Sequence, residues 1–283
     1  MASLRCLYVD LDGTLLGRGA SLLHDAEGNF TLLGVRALEA CARAGVEVVI
    51  FSGRRRAQVA EDARLLGQSA FIYEVGCALC VDGEDFFLTS ELTPREDASV
   101  NEQITESGAP ALLLEHFAGR LEYHDPWHHE REFSHLFRGA VDTEEADRLL
   151  AEHGFEFLRL VDNGGIHRQS RTLTIDGPGH AYHLIPREAS KAAAVEHHRR
   201  VRGYGADECI AAGDSREDLG AASAVGTFWM MANGLDRDPS IAQTLSRLSN
   251  ARVTEATNGA GVYEAVITTL AENRSVPTLQ EFG

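Results

Sequence analysis

Short apolar runs alternate with amphipathic helical patterns near both ends of the chain. The first run, at 6–9, ends in a polar turn, which is typical of a strand buried on both faces of a parallel sheet. Residues 34–43 then carry apolar positions at helical spacing, and the run 46–51 predicts the next strand. This alternation predicts an α/β fold with a doubly wound, mainly parallel, Rossmann-like sheet and right-handed crossovers.

The regular alternation stops after about residue 82 and resumes near residue 187. The intervening segment predicts two helices and two short strands. These are helices at 98–106 and 143–153 and strands at 112–116 and 172–175. Mixed elements in that order are typical of an α+β module. We therefore expect a discontinuous core, 1–82 and 187–283, interrupted by an α+β cap at 83–186.

Composition and charge limit the classes of partner. With 283 residues, 44% hydrophobic and 24% charged, the chain is expected to form two globular domains. Its formal charge of −17 disfavours nucleic acid and anionic membranes as partners. The apolar runs are shorter than the roughly 18 residues of a membrane span, and the N-terminus lacks a signal-peptide pattern. The sequence therefore predicts a cytoplasmic protein without a membrane partner, and leaves its oligomeric state open.

Five scattered cysteines argue against a disulfide framework. Cys77 and Cys80 have the C-x-x-C spacing of some metal and redox sites. The sequence offers neither a second pair nor a suitably spaced histidine pair to complete a zinc site. We therefore expect these two thiols to be buried in the core.

Two aspartates, Asp10 and Asp12, follow the first predicted strand and precede the Gly13-Thr14 turn. Alternate strand residues share a face, so the two carboxylates point the same way while Leu11 points into the core. Neighbouring carboxylates favour a hard divalent cation, and Mg²⁺ is the expected ion. Because Asp and Gly are also ordinary turn formers, this motif alone leaves a simple acidic turn open.

Two later segments supply groups that bind anions. Ser52 and Gly53 follow the second predicted strand, where a hydroxyl and free backbone N–H groups form an anion cradle. The alternative is an ordinary helix cap. Lys191 lies in the first turn of a predicted helix, where a positive charge is unfavourable because it opposes the helix dipole. A functional role would explain a lysine at this position. A solvated surface lysine is the alternative there.

A fourth segment, GDSRED, ends another apolar strand in acidic residues. Asp214 is placed to complete the oxygen ligands of a metal ion held by Asp10. Asp218 lies four residues on, and we expect it, with Ser215, to orient Asp214 or a water on the metal. Acidic residues are also common at helix N-termini, which is the alternative explanation.

The ordered set of DLDGT, a strand plus SGR, SK and GDSREDL resembles the haloacid dehalogenase-like (HAD) phosphohydrolase superfamily. The insertion is similar to the large cap of the branch containing Cof-type sugar phosphatases, sucrose phosphatase and mannosyl-3-phosphoglycerate phosphatase. The later segments MANG (231–234) and NGAGV (258–262) also resemble that branch. This chain departs from the branch at one position near the expected metal site. The branch usually has Asn just before the last motif aspartate, and this chain has Glu217 there.

The resemblance implies a role for each motif. Asp10 would be the nucleophile that forms an aspartyl-phosphate, and Asp12 the general acid and then the base. Asp10, the backbone carbonyl of Asp12, and Asp214 would hold Mg²⁺, while Ser52, Gly53 and Lys191 would hold phosphate oxygens. A leaving alkoxide needs a proton whereas a halide does not. An aspartate at position 12 therefore favours a phosphatase over a dehalogenase.

Substrate selection is expected in the cap. Its candidate substrate contacts are an aromatic face and three cationic or donor side chains: Trp127, His128, Arg168 and Arg171. Such groups suit a sugar ring or a second anionic group, although a solvated cap surface explains them as well.

The sequence predicts a Mg²⁺-dependent phosphomonoesterase acting on a small phosphorylated metabolite, a sugar or polyol phosphate being favoured. A sugar phosphomutase is the alternative among enzymes. A catalytically decayed sugar-phosphate sensor is the alternative of another class. The intact set of Asp10, Asp12, Ser52, Lys191 and Asp214 argues against decay.

Overall fold

The computed structural model describes residues 3–166 and 171–274. The described strands, in chain order, are β1 Cys6–Val9, β2 Glu47–Phe51, β3 Ala70–Tyr73, β4 Ala78–Val81, β5 Glu84–Phe87, β6 Leu121–Tyr123, β7 His135–Gly139, β8 Leu158–Gly165, β9 His180–Pro186, β10 Cys209–Gly213, β11 Thr227–Met230 and β12 Ala251–Val253. The described α-helices are α1 Leu33–Ala44, α2 Arg56–Leu65, α3 Val100–Ser107, α4 Ala109–His116, α5 Thr143–Glu152, α6 Lys191–Arg202, α7 Arg216–Leu219, α8 Ala232–Arg237, α9 Ile241–Leu245 and α10 Asn258–Arg274.

The chain divides into two compact units. The first unit combines Met1–Phe51 with Val195–Gly283, and the second is Ser52–Ala194. The predicted cap boundaries at 83 and 186 stay a prediction.

The first unit is built on five parallel strands in the order β12-β11-β10-β1-β2. All four residues of β1 are buried, as expected for a strand covered on both faces. In register, Val9 faces Ile50 of β2 on one side and Ala212 of β10 on the other. The carboxyl ends of these three strands therefore meet at one edge of the sheet, and the predicted α/β class is confirmed.

The second unit mixes antiparallel sheet and helix. Strands β3, β4 and β5 form an antiparallel meander. A separate antiparallel sheet has the order β6-β7-β9-β8. Helices α3, α4 and α5 belong to the same unit.

Two predicted strands of the insertion are wrong. Residues 112–116 lie in helix α4, because Pro110 fits the first helical turn and Ala109 and Leu113 are buried one turn apart. Residues 172–175 form no strand. Thr174 donates one backbone hydrogen bond to Gly119, and Gly177, at φ +89°, interrupts the extended run just afterwards. The predicted helix at 143–153 is confirmed as α5.

All five cysteines are free and buried, which confirms the expectation for Cys77 and Cys80. Among the residues that the structure describes, no helix combines the length and the apolar character needed to cross a lipid bilayer.

Candidate active site

Three carboxylates meet at the carboxyl edge of the sheet in the first unit. Asp10 follows β1, and Asp214 and Asp218 follow β10. Each residue places one carboxylate oxygen within 4.8 Å of the others, and all three residues are buried. Clustered buried carboxylates repel one another unless a cation or donors compensate them. An oxygen-only set of this kind fits a hard divalent cation such as Mg²⁺.

Asp218 fixes the start of helix α7. One oxygen, Oδ2, accepts hydrogen bonds from the backbone N–H of Asp214 at 3.1 Å and of Ser215 at 3.0 Å. It also accepts from Ser215 Oγ at 2.7 Å, and Ser215 Oγ in turn accepts from the Asp218 N–H. This reciprocal capping box holds Asp218 against the backbone of Asp214 and Ser215, and the orienting role expected of Asp218 and Ser215 stays a prediction.

The close approach of Asp218 to the strand end requires a glycine. A Cβ at Gly213 would lie 2.2 Å from Asp218 Cβ. A residue with a side chain at position 213 would clash with Asp218. Only glycine lets the start of helix α7 pack this closely against the end of β10. Glu217, at the position where the related branch usually has Asn, is partly buried in the same short helix.

The aspartate turn after β1 contacts the same acidic segment. Thr14 is fully buried and donates from Oγ1 to Asp214 Oδ1 at 2.9 Å. Gly13 adopts φ +92°, and a Cβ there would lie 2.4 Å from Asp214 Oδ2. Asp12 has an exposed side chain and is not a member of the three-carboxylate cluster. Its exposure suits proton exchange with a substrate or water better than metal ligation by its carboxylate.

Two asparagines from the late motifs brace this turn. Asn233 Nδ2 donates to the Gly13 carbonyl at 2.8 Å, and Asn233 Oδ1 accepts from the Asn258 N–H at 3.0 Å. Asn258 Nδ2 donates to the Leu16 carbonyl at 2.9 Å. The resemblance pointed to these segments by sequence alone, and the structure gives them a bracing function.

Arg237 is a site residue that the sequence analysis missed. Its Nη2 forms an ion pair with Asp214 Oδ2, and its Nε donates to the Asn233 carbonyl at 3.3 Å. An arginine at the end of a short helix carries no local signal for this role. Only the return of α8 to the strand edge brings it to Asp214.

The second unit carries the expected phosphate-binding residues. Ser52 follows β2 directly in the chain, is buried, and accepts at Oγ from the Arg54 N–H at 3.2 Å. The Gly53 carbonyl accepts from Arg131 Nη1 at 3.0 Å. A Cβ at Gly53 would meet Asn163 Nδ2 at 2.8 Å and His183 Nε2 at 3.1 Å. The turn at Gly53 therefore packs closely against those two side chains.

Lys191 begins helix α6 and is only 1% exposed, so the solvated surface lysine considered from the sequence is wrong. A buried cation at that position supports a functional role. Burial, and then the neighbouring cations Arg131 and Lys191, lower the pKa of His183 well below its ordinary value. His183 is therefore neutral near pH 7. The surroundings of Gly53 thus gather cationic and neutral donors, which suits an anion.

Arg131 connects the Ser52-Gly53 turn to the loop that contains Trp127. Besides its bond to Gly53, it donates from Nε to the Trp127 carbonyl at 3.1 Å and from Nη1 to Ser134 Oγ at 3.2 Å. The nearby Glu74 is fully buried and accepts from the backbone N–H groups of residues 132–134. This buried polar network, which the sequence analysis missed, joins Gly53 to the segment before β7.

The candidate substrate contacts predicted in the insertion differ from one another in exposure and surroundings. Trp127 is 51% exposed, and His128 stacks on Tyr123 with ring centroids 4.8 Å apart. Ligand atoms of Asp125, His128 and His129 lie within 4.8 Å of one another on the surface. Arg171 is exposed in an irregular segment. Arg168 lies outside the described residues.

Comparison with known proteins agrees with this architecture. No protein-family model matches the chain. It is 28% identical over 277 residues to a phosphoglycolate phosphatase from Pyrobaculum neutrophilum, covering 96% of this chain and 99% of that protein. It is 25% identical over 272 residues to a phosphoglycolate phosphatase from Methanoculleus marisnigri, covering 93% and 95% respectively.

Solved structures share the fold. A sucrose-phosphatase from Synechocystis, solved with sucrose and phosphate, aligns with TM-score 0.63 and 13% identity over 95% of this chain and 98% of that chain. A phosphatase of the haloalkanoate (HAD) superfamily from Bacteroides thetaiotaomicron aligns with TM-score 0.62 and 16% identity over 94% and 95%.

The fold is therefore that of the haloacid dehalogenase-like hydrolases, and the resemblance drawn from the motifs is confirmed. The relatives that match the chain along nearly their whole length are named as phosphatases.

Proposed function

We propose that this protein is a Mg²⁺-dependent phosphomonoesterase that acts through an aspartyl-phosphate on Asp10. The observation that carries the proposal is the buried cluster in which Asp10 and Asp214 directly follow parallel strands and Asp218 lies in the short helix α7. Asp10 and Asp214, with the backbone carbonyl of Asp12, would hold the ion. When bound, Mg²⁺ would offset the charge of the carboxylates and of the phosphate, so that an anionic nucleophile can approach phosphorus.

The first chemical step belongs to Asp10 and Asp12. An oxygen of Asp10 attacks phosphorus, the bond from phosphorus to the substrate oxygen breaks, and Asp12 gives its proton to the leaving oxygen. In the second step Asp12, now a carboxylate, takes a proton from water as the water oxygen attacks phosphorus. The acyl phosphate bond then breaks, which restores the Asp10 carboxylate and releases inorganic phosphate.

The phosphate oxygens are assigned to Ser52, Gly53 and Lys191. Support comes from the burial of Ser52 and Lys191 and from the turn that places Gly53 against polar donors. A buried lysine is a strong point charge toward phosphate, and the hydroxyl and N–H groups add directional hydrogen bonds.

The proposed substrate is a small phosphorylated metabolite. Relatives named phosphoglycolate phosphatase support a short phosphorylated carboxylic acid as the first candidate. The exposed Trp127 beside the network of Arg131 supports a sugar or polyol phosphate as the second candidate. A panel containing phosphoglycolate and several sugar phosphates separates the two by their kcat/KM values.

The mechanism is tested with p-nitrophenyl phosphate. We expect Asp10→Asn to lower kcat by about 10⁴-fold or more, since a missing nucleophile removes the covalent route. Chelation of Mg²⁺ should abolish turnover and its return should restore it. The matched control is Asp97→Asn, because Asp97 is an exposed aspartate of the second unit. Normal turnover by Asp10→Asn would contradict the proposal. An unchanged rate of the wild-type enzyme after Mg²⁺ is chelated would contradict it as well.

Three further measurements address the intermediate and the two alternatives. Acid quenching with a labelled substrate should trap label on Asp10, and the Asp10→Asn variant should trap none. A sugar 1-phosphate that yields phosphate on another carbon, with little inorganic phosphate, would indicate a mutase. Tight binding of phosphorylated metabolites without any hydrolysis would indicate a sensor.

A further inference from the structure

A second cluster of chemically reactive side chains lies at the amino edge of the same parallel sheet. Cys6, Glu47 and Cys209 are the first residues of β1, β2 and β10. The strand register pairs Cys6 with Glu47 on one side and with Cys209 on the other. Neighbours in register share a face of the sheet. The three side chains therefore converge at the edge opposite to the Asp10 carboxylate cluster.

Helix α6 adds a histidine to this cluster. Ligand atoms of Cys6, Glu47 and His198 all lie within 4.8 Å of one another. Cys209, the register partner of Cys6 on β10, adds a second thiol on the same face of the sheet. Cys6, Cys209 and His198 are at most 1% exposed. Two sulfurs, an imidazole and a carboxylate make up a set typical of zinc sites.

The orientation of His198 points to a ligand. Its Nδ1 lies 2.8 Å from the Tyr8 hydroxyl oxygen, within hydrogen-bond distance. Its Nε2 is buried and has no hydrogen-bond partner among the residues that the structure describes. The Glu47 Oε1 atom is 3.7 Å from Nε2, which is beyond hydrogen-bond distance but close enough for an ion pair when the imidazole is protonated. A histidine held through one ring nitrogen, with the other turned into a cluster of donors, is typical of a metal ligand.

The charges also balance. Arg202 donates to Glu47 Oε1 from Nε at 3.1 Å and from Nη2 at 2.9 Å, while the Tyr204 hydroxyl donates to Oε2 at 3.0 Å. Two thiolates and one carboxylate carry three negative charges. A divalent cation together with the Arg202 guanidinium carries three positive charges, so the buried assembly is neutral.

We propose that Cys6, Cys209, His198 and Glu47 form a buried structural site for Zn²⁺, separate from the carboxylate cluster of the active site. Binding replaces the two thiol protons with two sulfur–zinc bonds, and both protons leave to solvent. Four protein ligands and the burial of the cluster leave no open position, which indicates a structural rather than a catalytic metal. Sulfur ligands also favour zinc over magnesium.

Cobalt provides the test, because Co²⁺ bound by thiolates absorbs strongly in the near ultraviolet and visible, and Co²⁺ bound by carboxylates alone does not. The reduced, chelator-treated full-length protein is titrated with Co²⁺. We expect charge-transfer bands that saturate at one equivalent and disappear when Zn²⁺ is added. The oxygen-only cluster around Asp10 cannot produce these bands. Their absence from the wild-type protein would overturn the proposal without recourse to any variant.

Variants then assign the ligands. Cys6→Ser and His198→Gln should each weaken Co²⁺ binding by at least tenfold, and Cys6→Ser should also reduce the charge-transfer intensity. Cys41→Ser is the matched control, because Cys41 is a buried free thiol in α1 of the same unit. Bands that persist in Cys6→Ser, or that Cys41→Ser removes equally, would overturn the assignment. Circular dichroism of each variant establishes that it is folded.

Discussion

Thr14 donates its hydroxyl hydrogen bond to Oδ1 of Asp214 at 2.9 Å, which links two motifs that are 200 positions apart in the chain. One of them delivers the proposed nucleophile and the other a proposed metal ligand. Since both groups are buried, the bond holds the Asp214 carboxylate in one orientation. Strand pairing brings the two motifs together, and Thr14 adds a side-chain link between them.

Thr14→Val should weaken the use of Mg²⁺. The substitution keeps the shape of the side chain but removes the donor to Asp214, and loss of a supporting hydrogen bond typically costs about 10-fold in metal affinity. We expect the Mg²⁺ concentration for half-maximal hydrolysis of p-nitrophenyl phosphate to rise by about that factor. Thr14→Ser retains the hydroxyl and serves as the control. An unchanged Mg²⁺ dependence in Thr14→Val would show that Asp214 is oriented by other contacts.

Arg237→Met should have the opposite effect on Mg²⁺. The Arg237 guanidinium forms an ion pair with Asp214 Oδ2, so it competes with a cation for that oxygen and repels it. Its removal is expected to lower the half-maximal Mg²⁺ concentration by about threefold or more. Arg247→Met removes an exposed arginine of the same unit and controls for net charge. A higher Mg²⁺ requirement in Arg237→Met would mean that Arg237 supports the bound state.

Gly13→Ala should cost much more than Gly45→Ala. Both glycines have positive φ, +92° for Gly13 and +67° for Gly45. An alanine at positive φ is strained, which destabilises either variant by about 1–2 kcal/mol. A Cβ at Gly45 meets nothing within 4 Å, whereas one at Gly13 lies 2.4 Å from Asp214 Oδ2. We therefore expect Gly45→Ala to remain active with a modest loss of stability and Gly13→Ala to lose activity. Urea unfolding and phosphatase assays on both variants make the comparison, and equal activities would contradict it.

Acid should destabilise the second unit through His135. Burial lowers the pKa of this histidine to about 4, below the ordinary value of about 6.5 in an unfolded chain. Between those two values the unfolded chain binds the proton and the folded chain does not. The free energy of unfolding therefore falls as the pH drops from about 6.5 to about 4, and His135 adds no pH dependence above that window.

The size of that effect is set by the difference in pKa. A shift of this extent corresponds to about 3 kcal/mol. His135→Gln, which can still donate to the Asn101 carbonyl, should flatten the pH profile of urea unfolding by about this amount. The control is His153→Gln, at an exposed helix end. If His135→Gln and wild type show parallel profiles down to pH 4, the buried neutral histidine is not the cause.

Local sequence determined the elements that carry the chemistry. Four apolar residues before Asp10 form a strand buried on both faces, and such a strand delivers the aspartate after it to the sheet edge. The motifs also specified Ser52, Lys191 and Asp214, because each follows or begins a regular element. The insertion was harder to predict. Residues 112–116 form a helix because Pro110 and the burial of Leu113 favour one, which a short run of leucines does not reveal.

Only the tertiary structure decided which distant side chains meet. The chain order predicted that Asp10 and Asp214 approach each other, because parallel strands bring their carboxyl ends together. Three other contacts were not predicted, because they depend on how helices and loops return to the sheet. They are the ion pair of Arg237 with Asp214, the hydrogen bond from Arg131 to the Gly53 carbonyl, and the approach of His198 to Cys6. Periodicity fixes the face on which a residue lies, but packing between elements selects its partner across tens to hundreds of residues.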